Sequence, residues 1–252
     1  MNISELAAAL DLPASARVDQ RVPKKLLLEN GAPTAADKRA IQGGIDEFQW
    51  IAALKPTTTG IPAFADETRE YLEIAVVAVA FRPGAKATRL VELIHRSIPY
   101  PVFLMTSDGE DLVVSVAHKR HAQNEAGRVV VEGVVATEPM KPGRFSELER
   151  AFVGSLALAK LTSRDLFSVY ESWAARIEAL KAARITGVFA ATDDATAIGR
   201  RRAALETHAR LSREAAILRV EARRTKQLNR KVELNLRINE LGSVMAQTAE
   251  SM

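Results

Sequence analysis

The apolar positions change their period along the chain, and each change marks a different kind of element. Pro23 at a helix start and Gly31 just past its end bracket a short helix over 22–30. Thr34 and Asp37 stand three apart like a capping box. Ile41, Ile45, Phe48 and Ala52 follow at spacings of three and four, which predicts one helix over 34–54. Gly43 and Gly44 weaken its middle by up to about 1 kcal/mol each. Three threonines between Pro56 and Gly60, followed by Pro62, predict a loop.

The period then falls to two. Residues 72–81 (LEIAVVAVAF) are apolar on both alternations, as in a central strand covered on both faces. Residues 88–97 return to helical spacing through Leu90, Leu93 and Ile94. Ile98-Pro99-Tyr100-Pro101 leads into a strand over 102–106. Asp108-Gly109 signals a hairpin, and 111–119 is the returning strand. A turn at 124–127 and a strand over 129–136 complete a mixed four-stranded sheet with one crossover helix. Ser146 and Glu149 form a capping box that opens a helix to about 161. Ser163 is expected to cap the next helix, which carries Leu166, Val169, Tyr170, Trp173, Ile177 and Leu180 and closes at Gly187.

From Asp193 to Ala249 the chain has no proline and is dense in strong helix formers. As one helix it would run about 80 Å at 1.5 Å per residue and project from the preceding domain. Leu234, Ile238, Leu241 and Met245 keep a 4-3-4 step, the seam of a coiled coil with a second copy or a partner's groove. Gly199 and Gly242 are candidate break points. The expected architecture is α+β. A globular domain over 1–190, with N-terminal and flanking helices, is followed by a long basic coiled-coil arm over 191–252.

Composition narrows the function. The 252 residues are 47% hydrophobic and 26% charged, with a net charge of +4 and no cysteine. Disulfides, thiolate catalysis, iron–sulfur clusters and cysteine zinc sites are excluded. No apolar run reaches the roughly 20 residues needed to cross a bilayer. The first thirteen residues carry Glu5 and Asp11 and lack a basic start, so no signal peptide and a cytoplasmic location are expected.

The common catalytic constellations are absent. There is no GxxxxGK[ST] or GxGxxG loop and no GxSxG elbow. His95, His118, His121 and His208 are dispersed, so neither a metal nor a cofactor is expected. An alternative is a metal-dependent nuclease site built from Glu73, Asp111, Lys119 and Arg120, although neither of the strand glutamates Glu73 and Glu132 has a lysine two residues on. The basic residues carry a clearer signal. Lys119 and Arg120, between His118 and His121, form a cationic strand tip. Between Ile198 and Lys231 stand eleven Arg or Lys against three acids, a local net of +8. Among them are Arg201, Arg202, Arg213, Arg219, Arg223, Arg224, Lys226, Arg230 and Lys231. That density suits phosphate neutralisation. It equally suits a solvated coiled-coil flank in which Arg and Glu satisfy one another.

Several segments together carry a family resemblance. These are Val22-Pro23-Lys24-Lys25, Ile45 to Trp50, Leu54-Lys55-Pro56-Thr57 with Ile61, Glu73-Ile74, the IPYP run continuing into Val102-Phe103, and Lys119-Arg120. Over roughly 18–250 the chain resembles the family of domains of unknown function numbered 4391, the IPYP run being the most specific piece. The resemblance implies a prokaryotic accessory protein of a restriction-modification or phage-defence cluster, encoded beside helicases and DNA methyltransferases. It supplies no catalytic motif. The resulting expectation is a non-enzymatic adaptor whose basic C-terminal helix binds such a partner protein, DNA or a second copy, with no membrane contact. A purely structural dimerisation module is a further alternative.

Overall fold

A strand that is apolar on both sides needs a layer on each face, and this requirement organises the first part of the chain. The computed structural model describes residues 2–31, 33–122 and 129–252, Asn30 by its backbone alone. The chain forms two compact units, Met1–Ile177 and Glu178–Met252.

In the first unit, α1 (Ile3–Ala9) starts at Asn2, whose side chain accepts from the Glu5 N–H at 2.9 Å. A 3-10 turn precedes β1 (Arg17–Arg21), followed by α2 (Lys24–Gly31) and α3 (Ala35–Gly44). Then come β2 (Ile45–Leu54), the single-turn α4 (Pro56–Thr59) and a small ribbon of β3 (Phe64–Ala65) and β4 (Glu70–Tyr71). The remaining elements are β5 (Ile74–Phe81), α5 (Ala87–Ser97), β6 (Val102–Ser107), β7 (Leu112–His121), β8 (Val129–Ala136), α6 (Glu147–Gly154) and α7 (Leu166–Thr186). The last of these runs past the end of the unit. The capping box of Ser146 and Glu149 opens α6, whereas Asp165, not Ser163, caps α7 by accepting from Ser168 N–H at 2.7 Å.

The sheet has six strands, in the order β1-β2-β5-β6-β7-β8, rather than four. β5 and β6 are parallel across the α5 crossover, and every other neighbouring pair is antiparallel. Of the two extra strands, β1 precedes the first expected helix and β2 comes from a segment expected to be helical. The helix from Thr34 ends at Gly44, and Ile45–Leu54 continues as β2, paired with β5 from Ile45↔Phe81 to Leu54↔Ile74. A side chain at Gly44 would sit 2.8 Å from Leu90 Cδ1, so this glycine lets the chain turn tightly against α5. The turn at 124–127 lies outside the described residues.

Both faces of the sheet are covered. On one, Leu27 of α2, Ile41 of α3 and Leu90, Leu93 and Ile94 of α5 pack on Ile45, Phe48, Val77, Val79, Val102 and Leu104. On the other, Trp173 of α7 meets Phe103 at 4.6 Å between ring centres. Its indole N–H donates to Leu156 O. Val77 is wholly buried, as the two-sided pattern requires.

In the second unit, the expected single long helix is two. α8 (Ala195–Arg224) and α9 (Leu228–Ala249) are joined by Thr225-Lys226-Gln227 and pack against each other. The break falls at neither Gly199 nor Gly242. Thr225 leaves the helix with extended backbone while its N–H and hydroxyl both bond Glu221 O. Leu241 packs with Leu211 and Ala215, and Leu218 and Met245 lie against them. Leu234 is also buried, and Ile238 is half-buried. The 4-3-4 stripe therefore has a cover within its own chain, and the hairpin replaces the projecting arm. Arg201 is buried, donating to Ala190 O and Met252 O, while Arg202 holds Glu178 in a bidentate pair at 2.7 and 3.1 Å. No helix among the described residues is long and apolar enough to cross a membrane.

Candidate functional site

Strand directions gather several resemblance-bearing segments at one end of the sheet. β2 ends with Leu54-Lys55, β5 begins after Glu73, β6 begins after the IPYP run, and β7 ends through Lys119. The register Leu54↔Ile74 and Ala75↔Val102 puts these termini side by side. Lys55 Nζ lies 2.9 Å from the largely buried Glu73 carboxylate, which holds the Lys55 ammonium above its usual pKa. The Ala75 N–H donates to Pro101 O at 2.9 Å and pins the IPYP run.

Lys119 is the unusual group. The residue lies on β7 facing the IPYP run, is 3% exposed, and its amino group donates to Ile98 O and to Tyr100 O (2.5 Å to the latter). Prolines at 99 and 101 lack N–H groups, so the run cannot use a regular ladder and needs donors from elsewhere. Burial pushes the Lys119 amine down to about 7. Among the described residues no carboxylate lies within ion-pair distance of it. The lysine is therefore not part of an exposed cationic tip, as the sequence suggested. Its neighbour Arg120 is partly exposed and sits 3.9 Å from Glu132, which Arg69 also approaches at 3.5 Å.

A wedge separates β6 from β7 here. Their ladder runs from Leu104↔Ser115 to Ser107↔Leu112. Beyond it, the buried Tyr170 hydroxyl accepts from Ala117 N–H at 2.7 Å and lies 2.9 Å from Val102 O and 3.0 Å from Ala117 O. On the same face, His118 Nδ1 is 2.6 Å from the Tyr71 hydroxyl and its Nε2 is 2.8 Å from Glu171. Burial raises the Tyr71 phenol well above its usual value. Phe167 meets the Tyr71 ring edge-on and the His118 ring at a tilt. On the opposite face, His95 of α5 is wholly buried against Ser115 Oγ at 3.0 Å. Burial first, then the Lys119 charge, holds its imidazole down to about 3.

A cleft of about 230 Å³ opens at this sheet end, lined by Glu70, Leu72, Pro99, Tyr100, Pro101, Lys119, Arg120, His121 and Val129. Of the candidate nuclease residues, Lys119 and Arg120 line it, and Glu73 lies at the same end but is held by Lys55. Asp111 follows the far end of β6 and binds Lys141 at 2.8 Å, so the four do not form one centre. Among the described residues no group of three His, Asp or Glu is placed to hold a metal ion. Tyr71 and Glu171 carry no signal in the sequence pattern, and His95 figured there only among four dispersed histidines. The usable signal was the IPYP run, whose carbonyls require a buried donor.

The basic residues of the second unit divide by position. Arg201 and Arg202 are taken up in internal bonds. Arg213, Arg219, Arg223, Arg224, Lys226, Arg230 and Lys231 are exposed, the last six within thirteen residues around the turn between α8 and α9. The acids pair selectively across the hairpin, Glu214 with Arg237 and Glu221 with Arg230, each at 3.0–3.2 Å. Arg219, Arg223, Arg224, Lys226 and Lys231 make no ion pair with any described residue.

Residues 10–243 match the family model described as Domain of unknown function (DUF4391). No curated protein and no solved structure matches the chain.

Proposed function

The chain belongs to the DUF4391 family, and from that premise we propose a non-enzymatic accessory protein that engages nucleic acid through the end of its α8–α9 hairpin. The setting that fits the resemblance is a prokaryotic restriction-modification or phage-defence complex. There, a helicase or methyltransferase would be the protein partner.

The observation that supports this reading is the density of exposed, unpaired cations at the hairpin end. Were the basic stretch only a solvated flank, its acids would neutralise the arginines beside them. Instead the acids pair with Arg230 and Arg237, and five neighbouring cations are left facing water. Each such cation placed on a phosphate releases condensed counterions, so binding would weaken as salt rises. The nuclease reading gains no comparable observation, because Asp111 and Glu73 occupy opposite sheet ends.

The test is a titration of duplex DNA at two salt concentrations with the native chain and with Arg223→Glu/Arg224→Glu/Lys226→Glu. The native chain should bind at low salt with a steep salt dependence. The triple variant should lose at least tenfold in affinity and flatten the slope. Equal binding by both proteins, or none by the native chain at low salt, would overturn the reading.

A further inference from the structure

Two independent features meet at the sheet-end cleft. One is a buried lysine with no carboxylate within ion-pair distance among the described residues. A buried charge is ordinarily paired or neutralised. Among the described residues Lys119 is bonded to two neutral carbonyls, Ile98 O and Tyr100 O. Its protonated form has a third N–H to place, and Lys119 itself lines the cleft. The other is apolar. Of the four large hydrophobic side chains exposed in Met1–Ile177 among the described residues, three are Leu72 (51%), Tyr100 (40%) and Val129 (39%), and all three line this cleft. Pro99 and Pro101 extend the same wall.

We propose that the cleft binds a small ligand with an anionic head and an apolar body. Its carboxylate or phosphate pairs with Lys119, and its body lies against Leu72, Tyr100 and Val129. The volume suits a ligand of about the size of a substituted benzene ring, below the usual range for larger cofactors. Arg120 adds positive charge to the cleft lining, and Glu70 of β4 also lines it. The surrounding titratable groups are His95 from α5, Tyr71 from β4, the Lys55–Glu73 pair from β2 and β5, and Glu132 from β8, which is shared by Arg69 and Arg120. Pairing with an anion requires the Lys119 ammonium. Above pH 7, where the empty cleft holds the amine largely neutral, binding therefore takes up a proton and weakens as pH rises.

The experiment is isothermal titration of the full chain with acetate, benzoate, inorganic phosphate and phenyl phosphate. Benzoate or phenyl phosphate should saturate one site and bind at least tenfold more tightly than the matching bare anion. Whichever of the two prevails identifies a carboxylate or a phosphate head. Benzoate stays ionised throughout, so its affinity should fall about tenfold between pH 7.5 and 8.5. Running the series on His121→Gln removes the neighbouring imidazole from that profile. Lys119→Met should abolish binding. Should that variant not fold, Leu72→Asp places a carboxylate on the exposed wall without touching the core and should abolish binding as well. Absence of saturable binding by all four compounds would overturn the proposal, as would unchanged affinity in the variants or a flat pH profile. None of these substitutions lies in the hairpin, so failure here leaves the DNA titration unaffected.

Discussion

The two units solve the same problem, hiding apolar side chains, with very different means. In Met1–Ile177 the central strand β5 is sandwiched between helices on both faces, and large side chains such as Phe103, Tyr170 and Trp173 are wholly buried. In the hairpin of Glu178–Met252, α8 and α9 meet along a single seam built of Leu211, Ala215 and Leu241, while Ile217, Leu228, Val232 and Leu236 remain exposed. A layered core resists local opening, whereas a one-seam contact opens at a fraction of the global cost. The difference teaches where each proposed role belongs. The rigid unit can hold a shaped cleft, and the hairpin can present charge that needs little precise geometry.

The sharpest way to break this comparison is a charge in the layered core. Val77→Asp puts an unpaired carboxylate at a fully buried position, at a cost of about 3–5 kcal/mol plus lost packing. Soluble expression should collapse, and circular dichroism of any recovered protein should lack the native signal. A soluble variant of native thermal midpoint would refute the sandwiched placement of β5.

Next in size is Leu241→Ala, which truncates a buried leucine of the hairpin seam for about 2–5 kcal/mol. Hydrogen exchange should accelerate throughout α9 while the amides of β5 and β6 keep their protection. Equal acceleration in both units would show that they open together.

The smallest expected effect is a slope. In the folded chain the Lys119 amine titrates near 7, against about 10.4 when unfolded. Between those values the unfolded state binds the extra proton, so stability should rise with pH from about 7 to 10. His95 adds a second rise between about 3 and 6.5, because its imidazole is neutral in the core and charged in the unfolded chain. Denaturant midpoints across pH 5–10 should show both, and Lys119→Met should remove the upper one and reduce the lower one, which burial sets first and the Lys119 charge second.

Much of the layered unit is legible in the amino-acid sequence. The two-sided apolar run of β5, the crossover α5, the Asp108-Gly109 hairpin and the Ser146–Glu149 box each combine pattern with turn or cap chemistry, and each appears where expected. β2 escapes the sequence pattern because Ile45, Phe48 and Ala52 satisfy helical spacing, while pairing with β5, from Ile45↔Phe81 to Leu54↔Ile74, decides the matter from 20 to 36 residues away. β1, Arg-Val-Asp-Gln-Arg, is a polar edge strand with no alternation to detect. The hairpin turn was hidden because Thr225-Lys226-Gln227 contains neither glycine nor proline, and only mutual burial of the α8 and α9 seams folds the chain back. Lys119 was placed at an exposed tip because the carbonyls that receive it come from Ile98 and Tyr100, on another strand's approach. Whether the basic residues are paired was likewise undecidable from spacing, since Glu214 and Glu221 choose partners across the hairpin.

The Tyr170 wedge has a consequence for how far the sequence can drift. One phenol spans helix and sheet, and its hydroxyl serves three backbone atoms that the β6–β7 ladder leaves behind. Phenylalanine would keep the ring but strand a buried N–H and two carbonyls. Histidine or a shorter polar side chain would not reach them, and tryptophan would overfill the space. Position 170 thus tolerates almost no other amino acid, while buried apolar positions of α7 such as Val169 and Ala174 need only remain apolar and of suitable size. A saturation library over α7 would show it as an isolated column of intolerance, set there by the width of a gap between two strands.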